Sequence, residues 1–276
     1  SDFGRQDFVR RKLAAGHKLK NVLRSGKQRR YRTARHSVLM IKCTLADFNV
    51  AFNAEFDYLR RQCENYFADF DKPDIAIDIS DAMLASEREN ADGNCSDGYI
   101  ESICAYRALS ERLPKMGAFL MHASVIDVNS RGVAFLAESG TGKTTHTLLW
   151  KRLLGDRVTV INGDKPLVRR LSDGFYAYGT PWSGKEGLQT NAKTRLSDLC
   201  IIIRSRTNRV EKCPPGEAVS ALMRQVYMPS SADELDATLM LADGLLKQCR
   251  VWRIYCNTDI SAAEAAFNTV FGDVSE

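Results

Sequence analysis

The chain has 276 residues, 44% of them hydrophobic and 26% charged, the balance of a globular protein long enough for one large or two small domains. No apolar run approaches the ~18 residues a membrane span needs and no signal-peptide pattern opens the sequence, so a cytoplasmic protein without a membrane partner is expected. The net charge of +5 hides an asymmetry: residues 1–36 hold twelve Lys or Arg against Asp2 and Asp7, and the remaining 240 residues carry about −5. The run 18–35 has almost no large apolar side chains in its second half and cannot bury a core, so residues 1–37 are expected to form a disordered basic arm outside the domain. That arm is the sequence's one hint of a nucleic-acid or anionic partner, which is not the preferred expectation. The eight cysteines include no C-x-x-C pair and several sit in apolar runs. This predicts reduced, mostly buried thiols and neither a disulfide frame nor a zinc site.

In chain order, residues 38–43 and 48–52 read as strands, the second with Phe48, Val50 and Phe52 on one face. Residues 74–79 alternate charged and apolar side chains, a half-exposed strand. Ser80 caps a short helix through Arg88, and residues 89–96 are a polar loop. Residues 99–113 are an amphipathic helix closed by Pro114, on which Glu101 and Arg107 read as exposed charges. Residues 38–115 therefore make a small α+β lobe, and residues 116–276 a larger domain. The latter opens with a hairpin: a strand over 118–128, a turn at 129–132, and a strand into Ala137. A helix over 144–154 follows, then a strand over 157–162. Residues 167–170 and 175–178 form a second hairpin about Ser172-Asp173-Gly174. Residues 199–204 are a buried strand; 215–227 and 231–247 are helices, the second opened by a capping box of Ser231 and Glu234. A late strand over 251–256 and a helix over 261–271 close the chain. Repeated hairpins predict an α/β fold with a mixed sheet, not a doubly wound parallel one.

Residues 137–145 read Ala-Glu-Ser-Gly-Thr-Gly-Lys-Thr-Thr. This is the phosphate-loop (P-loop) pattern of Gly or Ala, four residues, Gly-Lys, then Ser or Thr, and it lies between a strand and a helix, where such loops work. Gly140 and Gly142 free the backbone to turn successive N–H groups toward oxygens, and a helix N-terminus favours negative charge. Lys143 would reach the β- and γ-phosphates and the Thr144 hydroxyl would sit on Mg²⁺. Ser139, Gly140, Thr141, Gly142, Lys143, Thr144 and Thr145 are thus the expected ATP contacts. The plain alternative is a glycine-rich turn before an ordinary helix.

Around this loop stand Leu120-Met121-His122-Ala123-Ser124-Val125, Val160-Ile161-Asn162-Gly163-Asp164-Lys165-Pro166 and Tyr178-Gly179-Thr180-Pro181-Trp182-Ser183-Gly184-Lys185. Together they resemble the HPr kinase and phosphoenolpyruvate carboxykinase superfamily, and within it the HPr-kinase-like serine kinases. The resemblance runs from about Met40 to the C-terminus and is specific from His122 to Lys185. It implies the mixed-sheet P-loop fold of the HPr kinase C-terminal domain, preceded by the smaller lobe. It also implies ATP- and Mg²⁺-dependent phosphoryl transfer to a serine-type hydroxyl of a small protein, peptide or metabolite. Relatives of this fold further suggest a homo-oligomer.

A kinase needs a metal ligand and a base. Asp164 ends the strand after the loop helix, where a carboxylate can reach Mg²⁺ beside Thr144; its alternative is a turn-forming residue before Lys165-Pro166. The related kinases carry two adjacent aspartates where this chain has Gly163-Asp164. A single carboxylate must then serve both metal and base, or a different group must help; in the first case Gly163→Asp is expected to raise turnover. The resemblance puts His122 near the γ-phosphate, where it would contact phosphate or orient Asp164; a core histidine is the alternative. His146 fits a helix surface or an adenine edge. Residues 179–191 read as too polar for core: a mobile loop carrying Lys185 to the transition state, or an ordinary surface loop. Arg204 and Arg206 are weak candidates for phosphate contact. A nucleotide-binding regulator that has lost transfer and a carboxykinase-like enzyme are the competing functions.

Overall fold

The computed structural model describes residues 39–91 and 93–272; the basic arm and Val38 lie outside the described residues. A three-stranded sheet comes first. Strands β1 (Leu39–Leu45) and β2 (Phe48–Ala54) are antiparallel, joined by Ala46 and Asp47, both at positive φ, as a tight hairpin turn requires. Helix α1 (Asp57–Gln62) then leads to β3 (Ile75–Asp78), parallel to β2 and alternately buried and exposed. Helices α2 (Asp81–Asn90), N-capped by Ser80, and α3 (Asp97–Ser110), N-capped by Ser96, complete this part. Helix α3 stops before Pro114, which instead opens a 3-10 turn.

Glu101 is not an exposed charge. It is 1% exposed, and its carboxylate accepts from Glu55 N (2.5 Å) and Phe56 N (3.1 Å), supplying the acceptor that the start of α1 lacks from its own N-cap. Burial raises its pKa against the pull of those two donors. Arg107 keeps contact with solvent and pairs with Glu87 at 3.2 Å.

The nine-stranded sheet contains β4 (Ala118–Leu120), β5 (Ser124–Val128), β6 (Arg131–Leu136), β7 (Val158–Asn162), β8 (Leu167–Leu171), β9 (Gly174–Tyr178), β10 (Lys193–Arg204), β11 (Arg209–Lys212) and β12 (Arg250–Cys256). Its main order is β4-β8-β9-β10-β6-β5-β7, with β12 between β10 and β11. Parallel and antiparallel pairs mix. Strand β10 changes partner along its length: Lys193–Arg195 pair antiparallel with β9, and beyond them the strand runs parallel to both β6 and β12.

The single strand expected over 118–128 is two strands in different parts of the sheet. β4 pairs with β8, whereas β5 lies between β6 and β7. Between them the backbone leaves the ladder: Met121 N donates to Pro166 O, His122 N to Gln225 O and Ala123 N to Asp164 O. The break delivers His122 to the end of β7.

Helices cover both faces of β6, which is why its sequence is continuously apolar. Val133 and Phe135 face α4 (Lys143–Leu154) and α7 (Ile260–Gly272), around Trp150. Ala134 and Leu136 face α5 (Pro215–Met223) and α6 (Ala232–Gln248), with Leu222, Leu241 and Leu245. Helix α5 ends four residues earlier than the sequence pattern implies, because Val226 and Tyr227 turn extended to bridge Met121 and Leu120. The expected capping box is half formed: Ser231 Oγ accepts from Glu234 N (3.2 Å), but the Glu234 carboxylate accepts from Lys115 N (3.1 Å). Asp198, fully buried, binds Arg131, Arg250 and the Trp252 indole, and both arginines also donate to Val270 O on α7. No helix among the described residues is long and apolar enough to cross a membrane.

Candidate functional site

Strand β6 runs into the glycine loop and the loop into α4. Glu138, Ser139 and Gly140 are exposed, Thr141 and Gly142 half-buried. Gly140 (φ 76°) and Gly142 (φ 123°) hold conformations that favour glycine. Helix α4 has no side-chain cap, and its first backbone bond is His146 N to Gly142 O, so the N–H groups preceding it keep no helical acceptor. Free N–H donors at a positive helix end are suited to an anion.

Lys143 does not extend into solvent. It is 7% exposed and its ammonium donates to Ala137 O at 2.9 Å. Burial and the charge of Lys165 pull its pKa down, Asp164 pulls it up, and burial is the largest of the three. Thr144 is half-buried and Thr145 exposed, one on either side of the first turn.

Asp164 lies just past β7, in a turn built by Asn162. The fully buried Asn162 side chain accepts from Asp164 N (2.8 Å) and Lys165 N (2.7 Å) and donates to Thr180 O (3.1 Å) and Oγ1 (3.0 Å). One Asp164 oxygen meets His122 Nε2 at 3.1 Å and the other meets the Lys165 ammonium. Burial alone would raise this carboxyl; the His122 hydrogen bond and the Lys165 charge outweigh it and hold Asp164 far below the usual carboxylate range. Gln225, with its amide nitrogen turned toward them, donates to Ala137 O (3.1 Å) and His122 O (3.0 Å), tying the loop's start to the histidine strand. His122, Asp164 and Lys165 therefore meet, and the buried Lys143 at the foot of the glycine loop lies within electrostatic reach of Asp164 and Lys165.

Residues 179–191 do not form the uniformly exposed loop that their polarity implies. Thr180, Trp182 and Ser183 are buried; Trp182 is 5% exposed and donates from its indole to Ser102 Oγ (3.0 Å) on α3. The segment is fastened along β7, where Gly163 N donates to Leu188 O (2.8 Å), Thr190 N to Ile161 O and Thr190 Oγ1 to Val160 O. Its outermost residues, Gly184 to Gly187, are exposed and include Lys185. Gly184 packs against Asp164, where an added Cβ would lie 3.2 Å from Asp164 Cβ.

His146 lies neither on the helix surface nor at an open edge. It is 2% exposed, packs edge-on against Phe135, and accepts the Trp150 indole N–H on Nε2 (3.1 Å). Burial lowers its pKa to about 4. Arg204 binds the loop itself: Nε donates to Thr141 O (3.1 Å) and a terminal nitrogen to Gly140 O. Arg206 is exposed and makes no bond to the loop among the described residues. Sequence reasoning missed the roles of Asn162 and Gln225, whose amides matter only through partners distant in the chain.

A divalent ion has hard oxygen donors here in Asp164, held anionic, and in the Thr144 hydroxyl. Each Asp164 oxygen keeps a second lone pair beyond its bond to His122 or Lys165, so the carboxylate has acceptor capacity left for a cation. No cluster of three or more His, Cys, Asp or Glu arranged for a metal occurs among the described residues, so any ion here would complete its shell with ligand oxygens and water.

No family model and no curated protein matches the chain. Solved structures do, among them the HPr(Ser) kinase/phosphatase from Coxiella burnetii, at 10% identity and a TM-score of 0.31, covering 56% of this chain and 97% of that one. The chain is a mixed α/β protein with a curled mixed sheet.

Proposed function

We propose that this chain is a Mg²⁺- and ATP-dependent phosphotransferase that phosphorylates a serine-type hydroxyl on a small protein, peptide or metabolite. The observation that carries the reading is the convergence of Lys143 and the uncapped α4 N-terminus with the His122–Asp164 pair. The backbone N–H groups of the loop and α4 would bind the polyphosphate, and Lys143 would leave Ala137 O to meet its outer oxygens. Thr144 and Asp164 would hold Mg²⁺, which when bound neutralises charge on the transferred group. His122 fixes Asp164 by hydrogen bond, and Asp164 would receive the acceptor's proton as the hydroxyl oxygen bonds to phosphorus and the ADP oxygen departs. Positioning and charge stabilisation, more than base catalysis, would supply most of the rate, as phosphoryl transfer leaves little covalent chemistry for the protein to do. Lys185, exposed beside Gly184, is suited to meet the acceptor or the outer phosphate.

One observation favours a second reading, a nucleotide-binding regulator without transfer. The place of a second carboxylate is tight: a Cβ on Gly163 would lie 3.1 Å from Ser183 O and 3.3 Å from Leu188 Cβ, so its neighbours would have to give by a few tenths of an ångström. ATP consumption in Mg²⁺ with a panel of acceptors, free serine included, beside calorimetric ATP binding, separates the two. Turnover with any acceptor supports the kinase; tight binding without turnover across the panel supports the regulator; absence of binding overturns both.

A further inference from the structure

We infer that Arg204 is a positioning residue that presets the glycine loop for its ligand by gripping the loop from behind. The inference rests on the triphosphate reading above and adds a residue to it. Strand β10 runs parallel to β6, with Ile201 opposite Leu136, the last β6 residue. Three residues further on, Arg204 stands beside the loop that continues β6. Its planar guanidinium donates to two consecutive carbonyls, Gly140 O and Thr141 O (3.1 Å for the latter). A rigid planar fork matches two fixed acceptors with little further ordering, whereas an ammonium has three donors but sits as a strongly hydrated point charge on a flexible stem.

The effect on the loop follows from peptide geometry. In a trans peptide the C=O and the following N–H point in opposite directions. Holding Thr141 O toward Arg204 turns the Gly142 N–H away from it, toward the N–H groups that open α4. The Thr141 N–H is already used, donating to Glu138 O at 3.2 Å, so the tip is a closed turn with its carbonyls on the Arg204 side. Gly140 and Gly142 would otherwise give this stretch wide backbone freedom. Arg204 removes part of it before any ligand arrives, and a preset loop binds more tightly than one ordered by its ligand. In this geometry the guanidinium serves carbonyls, not phosphate.

The test uses the full chain, with R204A and R204K, and three readouts: calorimetric binding of ATP and ADP with Mg²⁺, amide hydrogen exchange over residues 138–145 without nucleotide, and melting temperature. R204A is expected to weaken ATP and ADP by a similar factor, about tenfold, to speed exchange in the loop, and to leave the melting temperature within about 1 °C. R204K is expected to stay close to R204A. Wild-type affinity and exchange in R204A overturn the inference. So does recovery in R204K, which would make charge alone sufficient, or a loss confined to ATP, which would place Arg204 on the γ-phosphate. If the wild type binds neither nucleotide, the triphosphate reading fails, and the exchange experiment alone decides whether Arg204 holds the loop.

Discussion

Gly163→Ala adds one methyl group at the point where the segment after β9 lies along β7. The new carbon would stand 3.1 Å from Ser183 O and 3.3 Å from both Leu188 Cβ and Leu188 O, and two of those three atoms are backbone. Overpacking of this kind costs about 1–3 kcal/mol. Gly163 is not among the positive-φ glycines, so alanine also narrows the unfolded ensemble and returns about 0.4–1 kcal/mol. The net expectation is a loss between about 0 and 2.6 kcal/mol, centred near ~1.3 kcal/mol, which is roughly 3–5 °C in melting temperature for a domain of this size. Urea denaturation and scanning calorimetry would measure it. Gly163→Asp should cost more, since it also sets a second negative charge next to Asp164, and should lower ATP turnover by shifting Ser183 to Leu188. The motif comparison alone leads to the opposite expectation, a gain in turnover from a restored acid. A Gly163→Ala variant as stable as wild type, or more so, would show that the segment yields without cost and would refute the packing argument.

Lys143→Ala should weaken ATP by about 2 kcal/mol or more, because a charge-assisted phosphate contact is lost; unchanged affinity by calorimetry would remove the phosphate-loop reading. Asp164→Asn should abolish phosphoryl transfer while nucleotide still binds, measured as rates with one acceptor beside binding isotherms; retained transfer would take Asp164 out of the chemistry. His146, with its pKa lowered to about 4 in the folded chain against an ordinary ~6.5, favours the folded state fully above the ordinary value. That contribution, at most roughly 3 kcal/mol, should fade as pH falls from ~6.5 to ~4. Denaturation across this range should show the slope in wild type and a flatter one in His146→Gln; identical slopes would assign the acid sensitivity elsewhere.

Much of the fold was legible because its signals are local. Ser80 and Ser231 sit where N-caps should, and the Asn129-Ser130 turn, both residues at positive φ, separates two apolar runs that pair directly. What was not legible depends on distant partners. Strand β11 is Arg-Val-Glu-Lys, an outer strand with no buried face to leave an apolar pattern. Helix α1 buries only Leu59, too little for a periodic signal. The break at residues 121–123, Met-His-Ala, contains neither Gly nor Pro and is imposed by the backbones of Gln225, Asp164 and Pro166. At the candidate site the loop and Asp164 were visible as motif. Glu101 was misread because its partners, Glu55 and Phe56, lie more than forty positions away, and Trp182 because its polar neighbours disguise a buried ring.

The three tryptophans make the chain its own optical reporter. All are buried, and each indole N–H has a different partner: His146 Nε2 for Trp150, Ser102 Oγ for Trp182 and Asp198 Oδ1 for Trp252. Rings shielded from water emit at shorter wavelength than solvated ones, so unfolding should shift the fluorescence to the red without any label. Their places differ usefully. Trp150 lies two turns behind the glycine loop, Trp182 on the segment beside Asp164, and Trp252 on the strand held by Asp198. Replacing them with phenylalanine two at a time would leave one lamp in each region, so that an event at the loop could be told from one at the segment or in the sheet.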